Sequence, residues 1–351
     1  MFINLFIPWL VFLPFIVWKG YFEAPKVSYF YFGILFIIIF WVFKLVRHLE
    51  NLRLSKTDLW YFGWLTFLLV SSIFGVHPLD SILGGSYRHQ GVLFFLGLWL
   101  VGKTIGILSD LQKKHLIKYI AISILVEAGI FFLQKLGGNL YFGNPLGTLG
   151  ETNAVAGFLA IGSFFVFIVF PKVLFLIPAI AVFLTESRSG IISLFIVVGV
   201  YINSLGKKPR VLFIPAIFIV VALVVAFISR NKLSSIFENR PTIWRLGIES
   251  VIKRPFLGYG AESGEFVYNL SFQKEKIPLN GLIIDRAHNL FLDVAMWSGI
   301  IGLAFFLGWL IESFKAISFE RKFAFASFII YSSFQPLSVV HWVLFIIVLT
   351  S

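Results

Sequence analysis

Apolar runs of roughly 15 to 20 residues, about the length that crosses a ~30 Å hydrocarbon core as a helix, recur along almost the whole chain. They fall at about 2 to 18, 28 to 43, 59 to 74, 91 to 108, 115 to 134 and 153 to 170, then at 172 to 185, 189 to 205, 211 to 229, 288 to 311, 322 to 335 and 337 to 351. No other feature restricts the fold so strongly, because backbone in lipid must satisfy its own hydrogen bonds and runs of this length do so as helices. Composition agrees: of 351 residues, 59% are hydrophobic and 13% charged, and the mean hydropathy is +0.93. A water-soluble globule of that size would lack the polar surface to cover so much apolar side chain. The expected fold is an all-α polytopic membrane protein with about 12 transmembrane helices. The number is 10 if the short runs at 172 to 185 and 322 to 335 tilt or re-enter instead of crossing.

The first run, MFINLFIPWLVFLPFIVW, has no basic region before it and no small-residue cleavage site, and reads as a retained span. There is no cysteine, which excludes disulfides, thiolate catalysis and Cys-ligated metals. No internal repeat and no linker marks a second domain, so residues 1–351 read as a single transmembrane domain. The net charge of +12 would suit nucleic acid in a soluble protein. In a membrane chain the first use of Lys and Arg is to set topology, and no nucleic-acid partner is expected.

With the N-terminus cytoplasmic, the inner loops hold Lys44, Arg47, Arg53, Lys56, Lys103, Lys113, Lys114, Lys118, Lys172, Lys207, Lys208, Arg210, Lys315, Arg321 and Lys322. The short outer loops hold only Lys19, Lys26, Arg88, Lys135 and Arg188. That asymmetry is the positive-inside pattern. The other basic residues lie in one long outer loop, about 230–287, the only extended polar interval in the chain. Within it, Ile243, Trp244, Leu246, Gly247, Ile248, Val251 and Ile252 recur near helical spacing between Arg240, Arg245, Glu249 and Lys253. This predicts an amphipathic helix over Arg240 to Lys253 lying at the membrane interface, ended by Pro255, Gly258 and Gly260.

The unusual polar residues sort to that outer face. Arg88 stands in GGSYRHQG before the fourth span, Asn153 in GTLGETNAVAGF at the start of the sixth, and Arg188 in TESRSG between the seventh and eighth. Arg240 and Arg245 lie in the long loop, with Arg286, His288 and Asn289 at its end. An arginine at a span boundary is costly unless paired, which makes each a candidate for function. The outer acids Glu186, Glu238, Glu249, Glu262, Glu265, Glu275, Asp285 and Asp293 form no DxD or ExD pair. A divalent cation therefore has no evident ligand set, and guanidinium forks are the alternative counter-charge for phosphate oxygens. Structural roles stay open beside these. Arg188 could cap the preceding helix or reach lipid headgroups, Arg240 and Arg245 could bind anionic lipid, and Arg88 could pair with Asp80. His288 and Asn289 could cap the following helix. His77, His89 and His341 read as structural.

The ordered set GGSYRHQG, GTLGETNAVAGFLA, LTESRSG, RPTIWRLGIESVIKRPFLGYG and DRAHNLFLDVAMWSGIIGL, spread over about residues 80–305, resembles the O-antigen ligase family. That family includes Wzy-type polysaccharide polymerases and bacterial protein O-oligosaccharyltransferases. The resemblance implies a GT-C-type membrane glycosyltransferase of the bacterial inner membrane with an extracytoplasmic active site. It implies metal-free, inverting transfer of a glycan from undecaprenyl diphosphate to an acceptor hydroxyl on a glycolipid, a growing glycan or a protein, with no cofactor. By motif, Arg188 and Arg240 would hold the diphosphate and His288 would be the base that activates the acceptor. Arg88 and Asn153 match recurring positions, while Arg245, Arg286 and Asn289 are supporting candidates. A rival class, a transporter of the same lipid-linked glycan, would need charged groups near mid-membrane and repeated halves. Glu127 is the one acid deep in a span, and a hydrogen bond to a neighbouring helix is the simpler role for it.

Overall fold

The computed structural model describes residues 2–19, 21–46, 54–85, 87–138, 146–204, 240–276 and 283–350. The described chain is all-helical, its only extended pairing being an isolated bridge between Trp18 and Tyr21. In order the helices are α1 (Phe2–Phe12), α2 (Glu23–Val46), α3 (Lys56–Ile73), α4 (Pro78–Leu83), α5 (Val92–Gly106), α6 (Asp110–Lys135) and α7 (Thr152–Val169). They continue with α8 (Leu176–Leu184), α9 (Arg188–Ser204), α10 (Arg240–Lys253), α11 (Gly264–Lys274), α12 (Leu290–Ala316), α13 (Arg321–Ser332) and α14 (Val339–Thr350).

Among the described residues four helices, α2, α6, α7 and α12, are both long and apolar enough to cross a membrane. Several other apolar runs form shorter helices, and the run at 211 to 229 lies outside the described residues. Twelve full crossings are therefore more than the described helices supply by length. Proline stands at several of the helix ends, since it removes a backbone donor and clashes with the preceding turn. Pro14 falls in the short 3-10 turn that ends the first run, Pro171 stands between α7 and the helices that follow, and Pro336 separates α13 from α14. Helix starts run earlier than hydropathy suggests where a polar cap exists. Ser55 and Asp58 make a capping box ahead of α3, and Ser109 and Gln112 make another ahead of α6.

The chain divides into two compact units, each assembled from discontinuous segments. One comprises Met1–Lys26, Ile105–Glu238 and Ile317–Ser351. Its centre is α7, buried along most of its length, and small residues set how closely its neighbours approach. A Cβ on Gly162 would stand 2.1 Å from Ile124 of α6, and one on Gly190 of α9 would stand 2.5 Å from Ala156. Glu127 is wholly buried on α6 and accepts from the backbone N–H and hydroxyl of Thr148, at 2.8 and 2.6 Å. Its partner is thus the loop that leads into α7, not the neighbouring helix that the sequence suggests. Lys26 Nζ donates to the Thr148 carbonyl at 2.7 Å, so the loop is tied from both sides. His341, structural as expected, accepts at Nδ1 from the Ser338 N–H at 3.2 Å and lies 3.0 Å through Nε2 from the Ala154 carbonyl.

The other unit comprises Val27–Thr104 and Asn239–Ala316. α3 and α12 pack through interleaved aromatics. Trp64 stacks on Trp309 with ring centroids 6.4 Å apart, Tyr61 meets Trp309 edge-on at 4.9 Å, and Gly63 and Gly308 leave room for Phe305 and Trp60. α12 is interrupted at Gly299, with φ 68° and ψ −177°. The segment after α10 repairs the interrupted ladder: Tyr259 N–H donates to Met296 O at 2.8 Å, Gly260 N–H to Trp297 O at 3.0 Å, and Ile300 N–H to Pro255 O at 2.7 Å. A broken helix is tolerated in a membrane when protein groups take up its freed hydrogen bonds in this way. A Cβ on Gly299 would lie 2.2 Å from Phe256 O. Gly299→Ala therefore meets a backbone clash on top of ~1–3 kcal/mol of conformational strain. It is expected to lower the thermal midpoint of the detergent-solubilised protein by several degrees in a tryptophan-fluorescence melt, and an unchanged midpoint would show that the break is not structurally required.

Candidate active site

Three loops of the second unit converge, and local chemistry fixes each. Residues 84–91, between α4 and α5, double back on themselves: a Cβ at Gly91 would stand 2.5 Å from the Gly84 nitrogen, and Gly84 has φ 110°. The loop at 255–263 is sewn to α3 and α4 by hydroxyls, with Gly260 N–H donating to Ser71 Oγ at 2.9 Å and Ser81 Oγ donating to Ala261 O at 2.6 Å. Residues 283–289 run against the start of α11, where a Cβ at Gly264 would be 2.1 Å from Asp285 O.

The result is a charge cluster. Arg88 pairs through Nε with Asp285, not with Asp80 as the sequence allowed. Arg286 pairs through Nη2 with Glu262, and both side chains are more than nine-tenths buried. The Arg286 guanidinium also lies over the Trp297 ring at 4.3 Å, and its Nη1 has no hydrogen-bond partner among the described residues. Burial pushes the Glu262 carboxyl above its ordinary range, with Arg286 only partly opposing it. Burial acts on Asp285 in the same sense, but Arg88, Arg286 and His288 together outweigh it and hold that carboxyl below its ordinary range. The stabilisation from ionised Asp285 is thus present above the ordinary carboxylate range and is lost as pH falls through the lowered value.

His288 follows immediately, in the left-handed region at φ 55°. Its neighbours pin that conformation. The Ala287 N–H donates to Asp293 Oδ1 at 2.7 Å, and the Ala287 carbonyl accepts from Trp244 Nε1 at 2.9 Å. Asn289 Oδ1 accepts from the N–H groups of Phe291 and Leu292, both at 3.1 Å. Asn289 is therefore the cap of α12, as the sequence allowed, and His288 stands just outside it. Trp244 lies one helical turn along α10 from Arg240, on the same face, and Arg240 at the head of α10 is half-buried. α10 covers the range the sequence periodicity gave, Arg240–Lys253, and buries Ile243, Leu246, Gly247 and Ser250. Arg245 is on its exposed side, where it pairs with Glu249 at 2.8 Å and Glu275 at 2.5 Å and ties α10 to the end of α11.

In the first unit, Arg188 is the first residue of α9. Glu186 turns the chain at φ 59°, Ser187 Oγ accepts from the Gly190 N–H at 3.4 Å, and the half-buried Arg188 sits where the helix dipole favours anions. The contact of Gly190 with Ala156 sets this end of α9 beside the first turns of α7, which carry Asn153. The Asn153 side chain donates to Glu151 at 3.4 Å and its carbonyl accepts from Tyr331 OH at 2.9 Å.

The structure thus gathers Arg88, Arg240, Arg286, His288 and Asn289 in one unit, and Asn153 with Arg188 in the other. Glu262, Asp285, Asp293 and Trp297 belong to the first of these groups, although the acids look scattered in the sequence. The available signal was the parity of acids and arginines around DRAH: two arginines buried at a membrane boundary require carboxylate partners. Among the described residues no three His, Asp or Glu side chains converge as metal ligands.

Comparison with known proteins places these residues in context. Residues 173–307 match the family model described as O-antigen ligase. The match takes in Arg188, Arg240, Arg245, Arg286, His288 and Asn289, and leaves Arg88 and Asn153 before its start. A provisionally named polysaccharide ligase of Rickettsia prowazekii (strain Madrid E) is 26% identical over 284 residues, covering 72% of this chain and 66% of the relative. The ComP-specific O-oligosaccharyltransferase of Acinetobacter baylyi (strain ATCC 33305 / BD413 / ADP1) is 26% identical over 273 residues, covering 67% of this chain and 48% of the relative. The chain thus spans about half to two thirds of the length of these curated relatives. No solved structure matches.

Proposed function

We propose that this chain, whose residues 173–307 match the O-antigen ligase family model, is a membrane glycosyltransferase that moves a glycan from undecaprenyl diphosphate to an acceptor hydroxyl. The observation that carries this reading is the pinned His288, held at φ 55° beside the head of α10 where Arg240 stands. The acceptor oxygen attacks the anomeric carbon of the donor from the face opposite the leaving group. The bond from that carbon to the diphosphate oxygen breaks, its electron pair leaves with undecaprenyl diphosphate, and the hydroxyl proton passes to the His288 imidazole, a group that titrates near neutral pH in proteins. One displacement inverts the anomeric configuration. Arg240 and Arg188 offset the charge that grows on the departing diphosphate, a preorganised electrostatic contribution that asks for no metal. The positive-inside pattern supports a cytoplasmic N-terminus and this chemistry at the extracytoplasmic face; the apolar runs imply about 12 crossings, and the family resemblance implies the bacterial inner membrane and a GT-C-type arrangement.

Replacing Arg188 or Arg240 with Ala removes a charge-assisted contact worth ~1.5–3 kcal/mol. Each variant is expected to bind a fluorescent undecaprenyl diphosphate-linked oligosaccharide roughly 10- to 100-fold more weakly, and wild-type affinity in both would remove the diphosphate assignment. Asp293 is a positioning residue for the base. Asp293→Leu takes away the acceptor for Ala287 N–H and should lower kcat tenfold or more with little change in KM for the donor. Asp293→Asn keeps an acceptor oxygen and should recover most of that loss. Equal kcat in Asp293→Leu and wild type would count against the positioning role. The acceptor is identified by mass spectrometry of whatever becomes glycosylated when the membrane-reconstituted chain is given a lipid-linked oligosaccharide. No glycosylated lipid, glycan or protein would overturn the transfer reading.

A further inference from the structure

We propose that a groove between α2 and α5 holds the first part of the donor's isoprenoid chain, the part nearest its diphosphate; this rests on the transfer reading above. The two helices run in the same direction, since Phe30 meets Phe94 with ring centroids 5.1 Å apart and Trp41 Nε1 donates to Thr104 Oγ1 at 3.1 Å. Gly97 allows close approach on one flank, where a Cβ would be 3.1 Å from Phe30 and 3.2 Å from Ile34. Beside it the helices leave a groove of about 470 Å³. It extends from Ser28 and Tyr31 at one end to Ile38 and Leu100 at the other, which is roughly 15 Å of helix at 1.5 Å per residue.

The lining is apolar along its length except at one end, where Ser28 and Tyr31 stand beside Phe32 and Leu93, with Leu35, Leu96, Ile38 and Leu100 beyond. That end lies toward the charge cluster. Tyr31 OH donates at 3.3 Å to the carbonyl of Leu83, the last residue before the loop that carries Arg88. The Glu262 carboxylate, partner of Arg286, is near enough to act on the Tyr31 hydroxyl. At that end Arg286 keeps a buried Nη1 with no acceptor among the described residues, which suits an anionic headgroup. A chain anchored by a diphosphate at the guanidinium cluster can lie in the groove without crossing polar surface, and burying its methylene and methyl groups out of bulk lipid is a matter of shape rather than hydrophobicity.

The test uses the full-length protein in proteoliposomes and a benzophenone-tagged polyprenyl diphosphate, with the tag near the diphosphate end. Adducts are expected on the peptides carrying Tyr31, Leu35 and Leu96, competed by untagged undecaprenyl diphosphate. Leu35→Trp and Leu96→Trp, which fill the groove, should lower that labelling at least tenfold. They should also raise KM for a C55-linked and for a C10-linked glycan donor, since both chains enter this first part of the groove, while leaving KM for the acceptor unchanged. Ile39→Trp, exposed on α2 outside the groove, should behave as wild type. Labelling that is insensitive to both groove variants, or that is competed equally by a phosphatidylethanolamine vesicle, would overturn the groove and leave the transfer reading standing. Wild-type protein that labels at the groove but transfers no glycan from either donor would keep a lipid site and remove the transfer reading.

Discussion

His288→Ala is expected to lower glycan transfer by about 10²–10⁴-fold, the range that a positioned general base contributes, while affinity for the lipid-linked donor stays within a few-fold of wild type. The asymmetry follows from where the side chain sits. His288 lies outside the cap of α12, so removing the imidazole leaves the Asn289 cap, the Ala287–Asp293 hydrogen bond and the Trp244–Ala287 hydrogen bond in place. The cationic contacts proposed for the donor come from other residues. The deficit should therefore lie in kcat, and a thermal melt should show a stable protein. A stable His288→Ala protein that turns over at the wild-type rate would show that the acceptor proton goes elsewhere, and would turn attention to the carboxylates of the cluster.

Arg286→Ala should have the largest effect on stability. Its partner Glu262 is buried with it, and breaking a buried ion pair by removing one member typically costs 3–5 kcal/mol, because the remaining charge has no compensation. The stacking on Trp297 at 4.3 Å is lost as well, a desolvated cation–π contact of ~2 kcal/mol. The single variant is expected to accumulate poorly and to melt well below wild type in detergent. Arg286→Ala combined with Glu262→Gln removes the orphaned charge and should regain a large part of the difference. If the single variant melted like wild type, the cluster would not be the clamp that holds the 255–263 and 283–289 loops together.

Much of this was legible in the sequence because lipid leaves few choices. The apolar runs specify helices, and the spacing of Ile243, Leu246 and Gly247 gave α10 its bounds. The second helix of the long loop, Gly264–Lys274, was not read. Its apolar residues Val267, Tyr268 and Phe272 are few, and the helix is specified by packing. Hydropathy does not register that Pro14 ends a helix inside the first apolar run, so run length and helix length differ there. The break at Gly299 was hidden for a related reason: a glycine in an apolar run looks like helix–helix packing until a second segment is seen to supply the missing hydrogen bonds. Of the site, the cations were visible one by one as costly residues at span boundaries. Their carboxylate partners were not, since Arg88 and Asp285 are separated by 197 positions and only tertiary structure brings them together.

The most direct test of the central claim is the stoichiometry of the lipid product. In proteoliposomes given a radiolabelled undecaprenyl diphosphate-linked oligosaccharide and a hydroxyl-bearing acceptor, one undecaprenyl diphosphate should be released for each glycan that appears on the acceptor, with chelator present or absent. Glycan that moves between leaflets while still joined to its lipid, with no free undecaprenyl diphosphate formed, would contradict the account and identify the chain as a carrier.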